Sequence, residues 1–355
     1  MCSAIRYLTL LLLLCWQPLC AQVFSTQFKP FKGPVRHYVV YQAPVPPVID
    51  GKGNEAAWQQ AEWTADFRDI EGDGKPAPAQ RTRVKMLWDA THLYILAEME
   101  ETDVWGSLLR HDTIIFHDND FEVFLDPDGD AHQYYEIEVN ALNTVMDLFM
   151  PRPYRNGGNA LLTWDVKGLR TAVHVDGTLN RPGDKDRAWT VEMAVPFQSL
   201  GFHRGRSAPR DSATWRVNFS RVHWDTDVVN GRYVKRPGRP EHNWVWSPQE
   251  VINMHAPELW GYLQFCAQHA GTARAPFREP ATAAAERILW EVYYLQQQYH
   301  RQHRRYAADV ATLGMQQPAM MPVIEATSAQ FTAVIRNAGA ITVINHEGKI
   351  TTRHE

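Results

Sequence analysis

The sequence predicts an all-β protein: an antiparallel β-sandwich followed by a small α+β extension with one long helix. Short runs of alternating apolar and polar residues recur along residues 46–267, as half-buried strands require. Turn residues separate these runs at short intervals, with few helical patterns between them. After about residue 270 the composition shifts to Ala, Glu, Arg and Gln, and the apolar spacing becomes helical.

Residues 22–45 read as a tether ending in the Pro-rich entry Ala43-Pro44-Val45-Pro46-Pro47. Asn54 to Gln60 suits one short helix with Asn54 as its cap. Strands are expected at Arg83 to Trp88, Leu93 to Glu98, Phe121 to Leu125 and Tyr135 to Asn140, the last two joined by the turn Asp126-Pro127-Asp128-Gly129-Asp130. Trp189 to Val195 and Trp215 to Ser220 alternate in the same way. Ile288, Val292, Leu295 and Tyr299 recur at helical spacing within Ala281 to Ala311, and Gly314 and Pro318 close that helix. Strand-like runs Ala329 to Ile335 and Ala340 to Ile344 follow, and the second turns through His346-Glu347-Gly348. The shift near residue 270 predicts a C-terminal module, 280–355, that folds apart from the sandwich. Its surface is the place where an envelope component or protein partner would attach.

Thirty-six basic and 40 acidic side chains give a net charge of −4, and no basic run suggests a nucleic-acid partner. Arg6 followed by the apolar run Leu8 to Cys15 is too short to span a bilayer and reads as an export signal over residues 1–21, cut before Gln22. Periplasmic, cell-surface or secreted localisation follows. Cys20 would be lipidated in a lipoprotein, but the bulky Leu19 argues for simple cleavage. Cys2, Cys15 and Cys20 lie in the signal, so Cys266, in an alternating run, is left as a buried thiol with no disulfide partner. No P-loop, nucleophile elbow or zinc spacing occurs. The 15 His, including His111, His117, His132, His223 and His242, show no H-x-x-x-H spacing in the strands.

A period of two places Glu136, Glu138 and Asn140 on one strand face, with Glu122 on the neighbouring strand and Asn218 and Ser220 in a further polar row. A solvated outer face is the ordinary reading of such rows. Carboxylates and amides with few Lys beside them can also bind vicinal hydroxyls, while 13 Trp and 13 Tyr supply rings for pyranose faces. Asn243-Trp244-Val245-Trp246 offers such rings on a loop.

The ordered set Val48-Ile49-Asp50-Gly51, Ala57-Trp58, Leu93-Tyr94-Ile95 and Asp118-Asn119-Asp120-Phe121-Glu122-Val123-Phe124 resembles the family 9 carbohydrate-binding module. Asn140, Trp189-Thr190-Val191-Glu192, Trp215 to Arg221, Trp246-Ser247-Pro248 and Trp260-Gly261 continue the likeness over roughly residues 36–267. The resemblance implies a sandwich related to DOMON domains that holds a sugar between two rings without cleaving it. It assigns Glu122, Asn140 and Asn243 to sugar hydroxyls, Trp246 to one ring, and Phe116 or Trp105 to the other. Glu138 stands where xylanase-type modules have Arg.

No cofactor is required by this reading. Calcium at Asp126, Asp128 and Asp130 is the candidate metal, although the glycine comes too early for an EF-hand loop. Two alternative functions draw on some of these residues and on others. Glu122 with Glu136 or Glu138 could form the acid/base pair of a glycosidase. Haem could be held in a DOMON-type redox domain by Met146, Met150, His174 and Met254.

Overall fold

The computed structural model describes residues 35–201, 208–272, 274–337 and 339–355. The export signal and most of the tether lie outside the described residues. Thirteen strands and one short helix make up the first part that bears on the site, in the order β1 His37–Gln42, α1 Ala56–Gln60, β2 Arg68–Asp69, β3 Thr82–Trp88, β4 His92–Glu100, β5 Asp120–Asp126, β6 Tyr134–Asn140, β7 Val145–Met150, β8 Arg170–Asp176, β9 Ala188–Pro196, β10 Thr214–His223, β11 Thr226–Val229, β12 Arg232–Lys235 and β13 His242–Val245. Then come β14 Gly261–His269, α2 Ala283–His303, β15 Val323–Ala326, β16 Phe331–Asn337, β17 Ala340–Asn345 and β18 Ile350–His354.

The expected strands are present and mostly slightly longer than the alternation alone marked, while the one expected at Ala329 to Ile335 lies two residues later, at Phe331–Asn337. The topology departs from an all-antiparallel sandwich. A 12-stranded sheet runs β7-β6-β5-β10-β14-β1-β3-β4-β9-β8, with β13 and β2 attached beside β10. It is mixed, because β1 pairs parallel with both β14 and β3. The sheet curls, and its two halves face each other across one core. Phe121, Val123, Leu125, Ile137, Val139, Val217 and Phe219 come from one half; Val84, Met86, Ile95, Ala97, Val191 and Met193 come from the other. Period-two alternation puts these residues inward and leaves their neighbours on the outer faces.

Each outer face has its own cover. On the β3-β4-β9 half, α1 seats Trp58 over Leu87, Tyr94 and Leu96. The helix starts after Glu55 rather than Asn54, with no side-chain cap. On the β5-β6-β7 half, Ile115, Trp260 and Met254 cover Phe124, Tyr134, Met146, Leu148 and Met150.

Helix α2 ends earlier than its composition suggests, because Arg304 turns into the left-handed region at φ 56°. It packs on the β15-β16-β17-β18 sheet through Leu289, Trp290, Val292 and Tyr293. This module is fastened to the large sheet. Arg155 and Glu258 form a buried ion pair at 2.9 Å, and Tyr294 donates its hydroxyl proton to the same glutamate. Tyr293 donates to Asn156 Oδ1 at 2.6 Å, and Lys349 Nζ lies 3.0 Å from Asp130 Oδ2.

Candidate functional site

The outer face of β5, β6 and β10 carries a dense group of buried acids. Register places Glu122 directly between Glu138 on β6 and Ser220 on β10. Asp120 pairs with Asn140 one row away, and Glu136 pairs with Phe124 on the other side. Directly opposed residues have Cβ atoms about 5 Å apart, where like charges repel. Asp120, Glu122, Glu136 and Glu138 are all at most 5% exposed. Ligand-type oxygens of Asp120, Glu122 and Glu138 lie within 4.8 Å of one another.

Four carboxyls cannot all be ionised under those conditions. Burial pushes Glu122 up to about 7. Burial, then the charge of Glu122, pushes Glu136 up to about 8. Asp120 and Glu138 are raised by burial and by the same neighbours. Near neutral pH the face therefore holds protons as well as charge. A protonated carboxyl both donates and accepts, and an ionised one only accepts. Asp120 Oδ2 meets no hydrogen-bond donor among the described residues.

Aromatic side chains flank this floor. Phe116 is half-buried on the short turn Ile115–His117 that packs against β6. Tyr154 is 43% exposed, and burial of its hydroxyl, with Glu136 and Glu138 nearby, raises its pKa. Its ring meets His255 edge-on at 4.6 Å. His255 has Nδ1 3.0 Å from the Tyr134 hydroxyl and Nε2 3.8 Å from Glu136 Oε2. Burial and the Arg155 charge push its pKa down to about 3, so the imidazole is neutral.

The residues expected to bind ligand fall into different places. Glu122 and Glu138 are at the centre of the acid face, and Phe116 is at its rim. Asn243 shares the face, two strands from Asp120 through Val222. Trp246 does not. It is 1% exposed, packs on Phe219, and its ring fills the space a side chain at Gly261 would need. The reason is parity: an offset of three along an extended chain puts Asn243 and Trp246 on opposite faces. Trp105 is 7% exposed and likewise presents no open ring face. Asn140 is saturated by the fold. Its Nδ2 donates to Leu108 O and Asp118 Oδ2, and its Oδ1 accepts from the N–H groups of Leu142 and Thr144. Four bonds exhaust an amide side chain.

Asp126, Asp128 and Asp130 do approach one another. However, Asp126 accepts from the N–H groups of Gly129 and Ala131, and Asp130 accepts from His132 N–H. The Lys349 ammonium already supplies the positive charge at Asp130, so these residues fit a clamped hairpin turn better than a calcium site. The haem set is not assembled. Met146, Met150 and Met254 belong to one outer face, whereas His174 lies on β8 beside Asp50 and Asp176. Glu136, Asp120, Tyr154 and His255 join the site without having been singled out together. The period-two rows pointed to Glu136, but nothing local in the sequence points to Tyr154 or His255, which arrive on loops.

Clustered polar groups on the outside of a curled sheet, with partly exposed aromatic side chains beside them, are the kind of surface a ligand-binding domain uses. Residues 49–227, half of the chain, match the family model described as carbohydrate family 9 binding domain-like, and the chain belongs to that family. A candidate carbohydrate-binding protein from Bacteroides uniformis is similar over 65% of this chain and 100% of its own, with 15% identity and a TM-score of 0.48. A family 9 carbohydrate-binding module from Caldicellulosiruptor kristjanssonii, solved with cellotriose, is 16% identical over 69% of this chain and 100% of its own, with a TM-score of 0.41. The same module with glucose gives 16% identity, 68% and 100% coverage, and a TM-score of 0.39. Comparison with curated proteins finds no match.

Proposed function

We propose that this chain is an exported, non-catalytic carbohydrate-binding protein whose ligand lies on the acid face of β5, β6 and β10. One observation carries the reading: the segment that matches the family supplies Asp120, Glu122, Glu136, Glu138 and Ser220 to one face. Domains of this family bind without cleaving. The chemistry of the face fits that role. Sugar hydroxyls both donate and accept, and so does a set of carboxyls held partly protonated. Phe116 and Tyr154 offer rigid rings at the edge for the C–H faces of a pyranose. The export pattern of residues 1–21 supports delivery to a place where polysaccharide is met.

Hydrolysis fits less well. Cleavage needs two carboxyls about 5 Å or more apart with the glycosidic bond between them. Here Glu122 and Glu138 are opposed neighbours on the floor of the sheet.

The test is a calorimetric screen of the chain beginning at Gln22, with cellotriose and glucose as first probes and a glycan array after them. Wild type is expected to bind a saccharide, and Glu122→Gln and Tyr154→Ala to weaken that binding at least tenfold while staying folded. Full affinity in both variants would place the sugar elsewhere.

A further inference from the structure

We infer that a second site, at the edge strand β7, binds a divalent transition ion through His111, Asp112, Asp147 and Asp165. The four side chains come from three segments: the loop before the Phe116 turn, β7 itself, and the loop that follows it. Their ligand atoms all lie within 4.8 Å of one another. His111 Nε2 is 2.9 Å from Asp165 Oδ1, 3.4 Å from Asp112 Oδ1 and 3.9 Å from Asp147 Oδ1. Atoms bound about 2.0–2.2 Å from one ion sit roughly 3 to 3.6 Å apart, so small rotations bring this set onto a common centre.

Two further observations point to an ion rather than to a solvated acid group. Asp147 is only 2% exposed, and its Oδ1 faces the cluster with no hydrogen-bond partner, while Oδ2 accepts from Val166 N–H. Asp112 Oδ1 is buried and unpartnered in the same place. His111 Nδ1 lies 2.9 Å from Val145 O. A backbone carbonyl can only accept, so Nδ1 carries a proton, and Nε2 is the nitrogen left to face the three carboxylates. A metal-bound histidine is oriented in this way by a carbonyl on its other nitrogen. A proton on Nε2 could serve the nearest acceptor, Asp165, but would leave the buried oxygens of Asp112 and Asp147 without a bond. A divalent ion meets all of them.

One imidazole with three carboxylates suits Mn²⁺ or Zn²⁺ better than Ca²⁺, which takes oxygen ligands. His111 and Asp165 have side chains 54% and 62% exposed, so the ion is reached directly from solvent. Binding there would tie two loops to the edge of the sheet, one of which continues into the turn carrying Phe116. The site itself does not depend on the sugar reading.

The test uses the mature chain, stripped with EDTA and titrated calorimetrically with Mn²⁺, Zn²⁺ and Ca²⁺, with bound metal counted after dialysis. Wild type is expected to take one Mn²⁺ or Zn²⁺ per chain and to melt at a higher temperature with it. His111→Ala and Asp147→Asn should each bind at least tenfold more weakly. His111 is exposed enough that its replacement tests the contact even if the buried Asp147 variant folds poorly. Wild type binding neither ion, binding only Ca²⁺, or binding unchanged in His111→Ala would each overturn the assignment.

Discussion

Replacing Glu122 by Gln should stabilise the protein at alkaline pH and not at acid pH. Gln keeps the shape of the side chain and removes its charge. In the folded protein the Glu122 carboxyl titrates near 7, against an ordinary 4.5. Between those values the folded state binds more protons than the unfolded state. The contribution of Glu122 to stability is therefore fully present below about 4.5 and is lost as the pH rises through about 7. That displacement corresponds to on the order of 3 kcal/mol. Glu136, Glu138 and Asp120 are displaced in the same direction, so the wild type should weaken across the same window and somewhat above it. Glu122→Gln removes one charge from the group and relieves its neighbours. At pH 8 to 9 its melting temperature should exceed that of wild type by on the order of 5 °C, using about 1–2 °C per kcal/mol, since the unfolding entropy of about 2.1 cal/mol/K per residue grows with chain length. At pH 4, where wild-type Glu122 is already neutral, the two should melt within a degree or so. The assay is thermal unfolding followed by circular dichroism from pH 4 to 9. A constant difference at every pH, or a variant less stable at pH 8, would refute the account of Glu122 as a buried, repelled acid.

The other expectations follow from burial. Trp246→Ala should cost about 3–5 kcal/mol of stability, read from urea unfolding, because it empties a core position beside Phe219. Saccharide affinity per folded molecule should be unchanged in that variant. Glu258→Ala should cost about 3–5 kcal/mol by leaving the buried Arg155 guanidinium unpaired, whereas a surface pair would lose at most about 1. A chain ended at Ala267 should aggregate or melt well below the full protein on gel filtration and calorimetry, since it loses Tyr293, Tyr294 and Lys349 from the sheet; unchanged melting would show that the two modules are independent.

The strands and their faces were legible because alternation is a local property of the chain. Glu136 and Glu138 could be placed on one face from period two alone, while the register of β5 against β6 is what sets Glu122 opposite Glu138. The parallel pairing of β1 was not legible, since β14 and β3 meet it only through long connections. Trp246 was misplaced because family spacing was followed where strand parity gives the opposite face. Asn140 lay on the expected face, but its bonding capacity was taken by a loop whose path no local pattern encodes. The His111 cluster was missed for the same reason. Its ligands come from positions 111, 112, 147 and 165 and form no short motif; β7, at the end of the strand order, brings them together. Helix α2 ran short because composition does not foretell the left-handed turn at Arg304.

The acid face and the C-terminal module are linked through a chain of charged and hydrogen-bonded groups. Tyr294 of α2 and Arg155 both bond Glu258. Held there, the Arg155 charge adds to burial in keeping His255 neutral. A neutral His255 places no countercharge beside Glu136, whose carboxyl stays raised and carries a proton near neutral pH. If α2 were removed, Glu258 would lose a donor and the loop carrying His255 would lose its support. An imidazolium 3.8 Å from Glu136 would then favour the ionised carboxylate. Proton occupancy of the floor decides which of its oxygens can donate to a hydroxyl. Tyr294, Glu258, Arg155 and His255 thus form one connected chain of contacts from α2 to the edge of the acid face.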